Sequence, residues 1–167
     1  MNFEQVLATA SSNCSYINES GCTKIYIGAR ANDSNIAGVV GSVQAQINKH
    51  GVKARVITTG SFGYYDLEPI LSINKPGQPA ILYKNVNQDI VPSLITDSLT
   101  HDNPRPDLAL CSIGSTKIDS IPSASDIPLF HLQNRIALRN CGYIDPENID
   151  HYIQRRGYSG LSKALQM

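Results

Sequence analysis

Neither sign of charge is in excess in this chain. Its 14 Lys and Arg balance 14 Asp and Glu, giving zero net charge and a pI near 6.9. That leaves no electrostatic footprint for nucleic-acid phosphates or an acidic membrane surface. Long apolar runs are also missing: the longest are a few residues, as in Ile36-Ala37-Gly38-Val39-Val40, far short of the ~20 needed to span a bilayer. Ala8-Thr9-Ala10 has the form of a signal-peptidase site, but Glu4 precedes it, with no Lys, Arg or sufficient apolar stretch. The expectation is a cytoplasmic protein with no secretory leader and no direct membrane insertion. Closely spaced cysteine pairs are absent too. Cys14, Cys22, Cys111 and Cys141 are dispersed, with no C-x2-C and no His at zinc-ligand spacing, so free thiols and no metal are expected. Spacing leaves a Cys14–Cys22 disulfide open, and a reducing compartment disfavours it.

What is present is an alternation of β-branched runs and helical periodicity. At 167 residues, 41% of them hydrophobic, the chain suits one domain with an ordinary core plus an appendage. Residues 1–23 read as an N-terminal extension with a short helix over Asn2–Ala10 and a Ser/Asn-rich connector. Lys24-Ile25-Tyr26-Ile27, bounded by Gly21 and Gly28, predicts a buried strand. Ile36, Val39, Val40, Val43 and Ile47 make one apolar face of a helix that Gly51 stops. A second strand follows over residues 52–58. Runs at 70–73 and 80–83, separated by Asn74-Lys75-Pro76-Gly77, predict a hairpin. A helix around Ile90–Leu99 admits Pro92 only in its first turn. The order β-α-β-β-β-α over residues 24–100 predicts an α/β domain of thioredoxin-like type.

Residues 101–128 hold Pro104, Pro106, Pro122 and Pro128 and a Ser-rich stretch, and read as a linker. Residues 129–167 read as a short helical tail, with Asp145 as cap, Pro146 in the first helical position, and Ile149, Tyr152 and Ile153 on one face. So small a face does not stabilise an isolated helix of about three turns. The tail therefore needs support from the body, a second copy of the chain, or another domain.

Three features could carry chemistry. Gly28-Ala29-Arg30-Ala31-Asn32-Asp33 lies between a strand and a helix, where backbone N–H groups and Arg30 could hold an anion, but it lacks both glycine-rich phosphate spacings. Gly60-Ser61-Phe62-Gly63 has a serine in a glycine turn, yet the nucleophile-elbow spacing fails and no histidine is placed to serve it. Arg135, Arg139, Arg155 and Arg156 could bind phosphate. An ion-paired surface with Asp145, Glu147 and Asp150 is the simpler expectation.

The order of these loops resembles the flavoprotein, NADH-binding subunits of complex I-type NADH dehydrogenases and of NAD-linked hydrogenases and formate dehydrogenases. Some of these begin with a thioredoxin-like [2Fe-2S] ferredoxin domain, whose first strand ends in C-x4-C and second in T-G-C-x3-C. Here Ile25-Tyr26-Ile27-Gly28 through Asp33 occupies the first motif, and Thr59-Gly60-Ser61-Phe62-Gly63-Tyr64-Tyr65 the second. Tyr83-Lys84-Asn85-Val86 and Ile90-Val91-Pro92 resemble the end of that domain. Residues 130–153, from Phe130-His131-Leu132-Gln133-Asn134-Arg135 to His151-Tyr152-Ile153, look like the segment that introduces the flavin domain, continued by Gly157-Tyr158-Ser159-Gly160-Leu161.

Two departures shape what the resemblance implies. The four cluster-ligand positions are Gly28, Asp33, Ser61 and Tyr65, so the thiolates that hold such clusters are gone. The family's glycine-rich flavin and NADH site and its further cluster motif lie beyond residue 167. The expectation is a non-catalytic structural or docking module with no cofactor of its own, FMN, NAD and iron–sulfur clusters belonging to full-length relatives. Its partners would be other subunits or the flavin domain of an NADH-oxidising complex, or a second copy of the chain. Two other readings are a [2Fe-2S] carrier using the oxygen donors Asp33, Ser61 and Tyr65, which match iron–sulfur chemistry poorly, and a thiol oxidoreductase, which lacks its C-x2-C.

Overall fold

The computed structural model describes residues 2–17, 19–30, 33–114 and 116–167, and of residue 129 the backbone alone. Its centre is a five-stranded sheet in the order β2-β1-β3-β4-β5. The strands are β1 (Thr23–Gly28), β2 (Ala54–Thr59), β3 (Ile70–Asn74), β4 (Ala80–Tyr83) and β5 (Ala109–Ile113). β1 and β2 run parallel, joined by the helix α2 (Ile36–His50), and every other pair is antiparallel. A parallel pair joined through a helix, followed by an antiparallel hairpin and α3 (Val91–Thr100), is the thioredoxin-like arrangement the residue pattern predicts.

The elements form for local reasons. β1 is paired on both edges, by β2 and β3, and Ile25, Tyr26 and Ile27 put apolar side chains on its two faces, so nearly all of it is buried. α2 ends at Gly51 with φ +61, a left-handed C-cap that a residue with a Cβ adopts only at a cost. Pro92 lies in the first turn of α3, where its missing N–H breaks no helical bond. The hairpin turn uses Gly77 at φ +73.

Alternation along the strands divides the sheet into two faces. One carries Ile25, Ile27, Leu71, Ile73, Ile81 and Tyr83, packed under Val39, Val43 and Ile47 of α2 and Val91, Leu94 and Ile95 of α3. The other carries Ile70, Leu82 and Cys111, and among the described residues no side chain of α2 or α3 belongs to that cluster. Phe62 and Tyr64, from the loop after β2, close it instead, with Phe130 of the tail against them.

Two expectations need correction. Part of the stretch read as a linker, residues 101–128, is the fifth strand of the sheet, Ala109–Ile113 on the edge of β4. Ser112 N–H also bonds Pro122 C=O at 2.9 Å, closing part of the outer edge of β5. The tail helix is shorter than expected and starts later. α5 (Ile149–Gln154) is capped by Asn148, whose side chain accepts from Asp150 N–H, not by Asp145. The tail finds its support within the chain: α5 packs on the N-terminal helix α1 (Phe3–Asn13). The short helices α4 (Pro128–His131) and α6 (Ser159–Ala164) flank it in sequence.

Candidate functional site

The register of the parallel pair sets the site. Gly28 ends β1 opposite Thr59 of β2 and Ile70 of β3, so the loops after β1 and β2 leave the sheet side by side. They meet where the Arg30 guanidinium lies 5.9 Å from the centroid of the Tyr65 ring.

Gly28, Asp33, Ser61 and Tyr65, the positions that the resemblance compares with cluster ligands, have separate fates. A Cβ on Gly28 would lie 2.6 Å from the Phe62 ring and 2.8 Å from Gly60 C=O, and one of those contacts is backbone that cannot swing aside. Asp33 turns into its own loop: its Oδ1 accepts from Asn35 N–H at 2.9 Å, an Asx turn ahead of α2. Ser61 also faces inward, donating to Glu68 Oε1 at 2.5 Å and accepting from Gly63 N–H at 2.8 Å. Glu68 is buried, and its other oxygen, Oε2, has no partner among the described residues. Tyr65 is exposed, facing Arg30. The structure thus brings the two loops together and gives each of these side chains a different engagement. Residues 31 and 32 of the proposed anion loop lie outside the described residues.

The residue that dominates the site is one the motif comparison passes over. The Phe62 ring is 5% exposed and lies against Gly28 on one side. On the other it meets Gly142 of the tail, where a Cβ would sit 2.3 Å from the ring. Gly142 also has φ +82, so both its backbone and its lack of a side chain are required there. Arg135 donates to Phe62 C=O and holds its guanidinium 4.9 Å from the Tyr64 ring centroid, a cation–π contact. Tyr64 donates to Gln133 Oε1 at 3.3 Å and meets Phe130 edge-on at 4.9 Å. Residues 130–142 therefore form a flap over the second loop. No local pattern marks this: it depends on two glycines and one aromatic from distant parts of the chain.

Of the four arginines expected to pair with Asp145, Glu147 and Asp150, three have other partners, and Arg139 makes no ion pair or side-chain hydrogen bond among the described residues. Arg135 holds the flap. Arg155 lies over Tyr143 at 5.3 Å and donates to Asn140 Oδ1, and Arg156 pairs with Glu4 at 3.5 Å. The four cysteines are free. Cys111 packs in the same cluster as Phe62, where burial pushes its thiol up to about 11, so it stays protonated and inert at neutral pH.

A thiolate-held [2Fe-2S] cluster does not fit these residues. Gly28 offers no donor, an aromatic ring occupies the space its side chain would need, and the Ser61 hydroxyl is committed to a carboxylate. No group of three or more His, Cys, Asp or Glu is placed to hold a metal among the described residues.

Comparison with curated proteins agrees with the family resemblance over a short stretch of the chain. A stretch of 35 residues is 69% identical to the NADP-reducing hydrogenase subunit HndC of Solidesulfovibrio fructosivorans. Over that stretch the two chains are homologous. It is 21% of this chain and 7% of the hydrogenase subunit, so the chain matches only a small part of its relative's length. The structure of a thioredoxin-like [2Fe-2S] ferredoxin from Aquifex aeolicus superposes with a TM-score of 0.48 at 10% identity, covering 59% of this chain and 99% of the ferredoxin. No protein-family model matches the chain. Among the described residues, no helix is long and apolar enough to cross a membrane.

Proposed function

We propose that this chain is a cluster-free, non-catalytic docking module of a hydrogenase- or NADH-dehydrogenase-type flavoprotein subunit, working in the cytoplasm. The observation that carries it is the Phe62 ring between Gly28 and Gly142, which fills the space beside the first former ligand position. With that space filled, the two loops serve as a packed joint between body and tail. The reading assigns residues 24–100 to the ferredoxin-derived body and residues 129–167 to the start of the flavin-domain region, with β5 added to the body.

The docking half rests on where apolar surface is exposed. Of twelve exposed large hydrophobic residues among the described residues, ten lie between Leu132 and Met167, among them Ile136, Ile149, Leu161 and Leu165. Apolar surface so concentrated in one stretch of the chain is what this reading takes as the docking surface. The partners proposed are the flavin domain and neighbouring subunits of an NADH-oxidising complex. The test is gel filtration of the chain mixed with a purified flavoprotein subunit of an NAD-linked hydrogenase. Co-elution that Ile149→Lys with Leu161→Lys abolishes is the expected result. Separate elution of both proteins at micromolar concentrations would overturn the docking role.

A further inference from the structure

His151 sits where the tail meets the N-terminus, and it is 2% exposed. Both ring nitrogens are used. The backbone N–H of Asp145 donates to Nδ1 at 3.0 Å, so Nδ1 presents a lone pair and the proton of the neutral ring is on Nε2. Nε2 lies 2.7 Å from the Tyr16 hydroxyl, to which it donates. Tyr16 belongs to the turn after α1 and His151 to α5, so this bond crosses the joint between the two ends of the chain. The other polar ties across that joint are the exposed pairs Asn13 to Asp150 and Arg156 to Glu4, and a partly buried bond that Gln154 donates to Ala10 C=O at 3.3 Å. Of the side chains that make these ties, His151 is the one that titrates near neutral pH.

We propose that His151 is a proton-sensitive latch that holds the tail on α1 while the ring is neutral and releases it when the ring takes a second proton. A charged imidazole carries N–H on both nitrogens, and the Asp145 N–H already points at Nδ1. The two donors would oppose each other, and a buried cation would have lost its water. The charged ring therefore has to leave its place, and α5 leaves with it.

The groups facing the ring come from three elements. Tyr16 meets it from the turn after α1, with Cys14 beside the phenol and Arg55 of β2 5.8 Å from the phenol ring. Asp145 and Asp150, from its own segment, favour the proton, but burial outweighs them and pulls His151 below its ordinary 6.5. In the released tail the imidazole recovers that ordinary value. Docking is thus fully favoured above about pH 6.5, and the released form gains a proton that the docked form lacks as pH falls. One proton on this linkage changes the opening equilibrium about tenfold per pH unit until the docked ring itself titrates.

The experiment is an NMR titration of the imidazoles in the full chain, with amide hydrogen exchange corrected for intrinsic rates at each pH. The expected result is that His151 titrates below 6.5. In parallel, opening of α5 and α1 should rise about tenfold per unit below that value while β1 and β3 keep their protection. His151→Asn, which keeps an acceptor near the Nδ1 position and cannot be protonated, should remove the acid dependence. His151 titrating at or above 6.5, pH-independent α5 opening, or the same acid dependence in His151→Asn would each overturn the latch. If the variant fails to dock at neutral pH, the wild-type titration alone decides.

Discussion

The two faces of the sheet are closed by different means. Over one, α2 and α3 lay apolar stripes on Ile25, Ile27, Leu71 and Ile73, and the buried side chains there are at or near zero exposure. Over the other, an irregular loop and an irregular tail meet around one aromatic ring, with glycines on both sides of it. The helical face tolerates local substitution only as a cavity does, by collapse. The loop face depends on shape at a few points, and there even one added methyl group is disruptive.

Substitutions can break this contrast or sharpen it. The largest loss is expected from Leu94→Ala, which empties a fully buried site under α3. A cost of about 2–5 kcal/mol, read by urea denaturation, would remove much of the stability of a domain this size. Phe62→Ala is expected to cost less, about 2–3 kcal/mol against the 3–5 typical of a core Phe, because the tail side of the ring can settle inward. Hydrogen exchange should then show residues 130–142 opening while α2 and α3 stay protected. An equal loss of protection on both faces would dissolve the distinction.

Gly142→Ala adds one methyl group to the Phe62 ring at a left-handed backbone position, and is expected to destabilise by about 1–2 kcal/mol. Gly41→Ala adds the same methyl group in mid-α2, where nothing lies within 4 Å. It should stabilise by about 0.8 kcal/mol through helix propensity. Thermal melts of the pair measure the comparison with the same chemical change, and shifts of the same sign would contradict it.

The helical face was legible in the sequence because its signals are periodic. Ile36, Val39, Val43 and Ile47 announce α2, and Gly51 its end. β5 was hidden because Ala109–Ile113 is a short edge strand in proline- and serine-rich surroundings, and only pairing with β4 makes it a strand. The cap of α5 was misplaced because Asp145 and Asn148 are both competent caps, and the Asp145 side chain accepts from Glu147 N–H at 2.9 Å in a turn ahead of the helix while Asn148 caps α5 itself. Of the candidate site, the two adjacent loops were readable from motif order, because each follows one strand of a parallel pair. Phe62 was not, since its role depends on Gly142 and Arg135 arriving from the other end of the chain.

The most direct test of the central claim is anaerobic reconstitution of the intact chain with ferrous iron and sulfide, followed by iron and acid-labile sulfide analysis. The account predicts a colourless protein holding no stoichiometric iron, since no thiolate stands at residues 28, 33, 61 or 65. Two irons and two sulfides per chain, with the visible charge-transfer bands of a bound cluster, would contradict it.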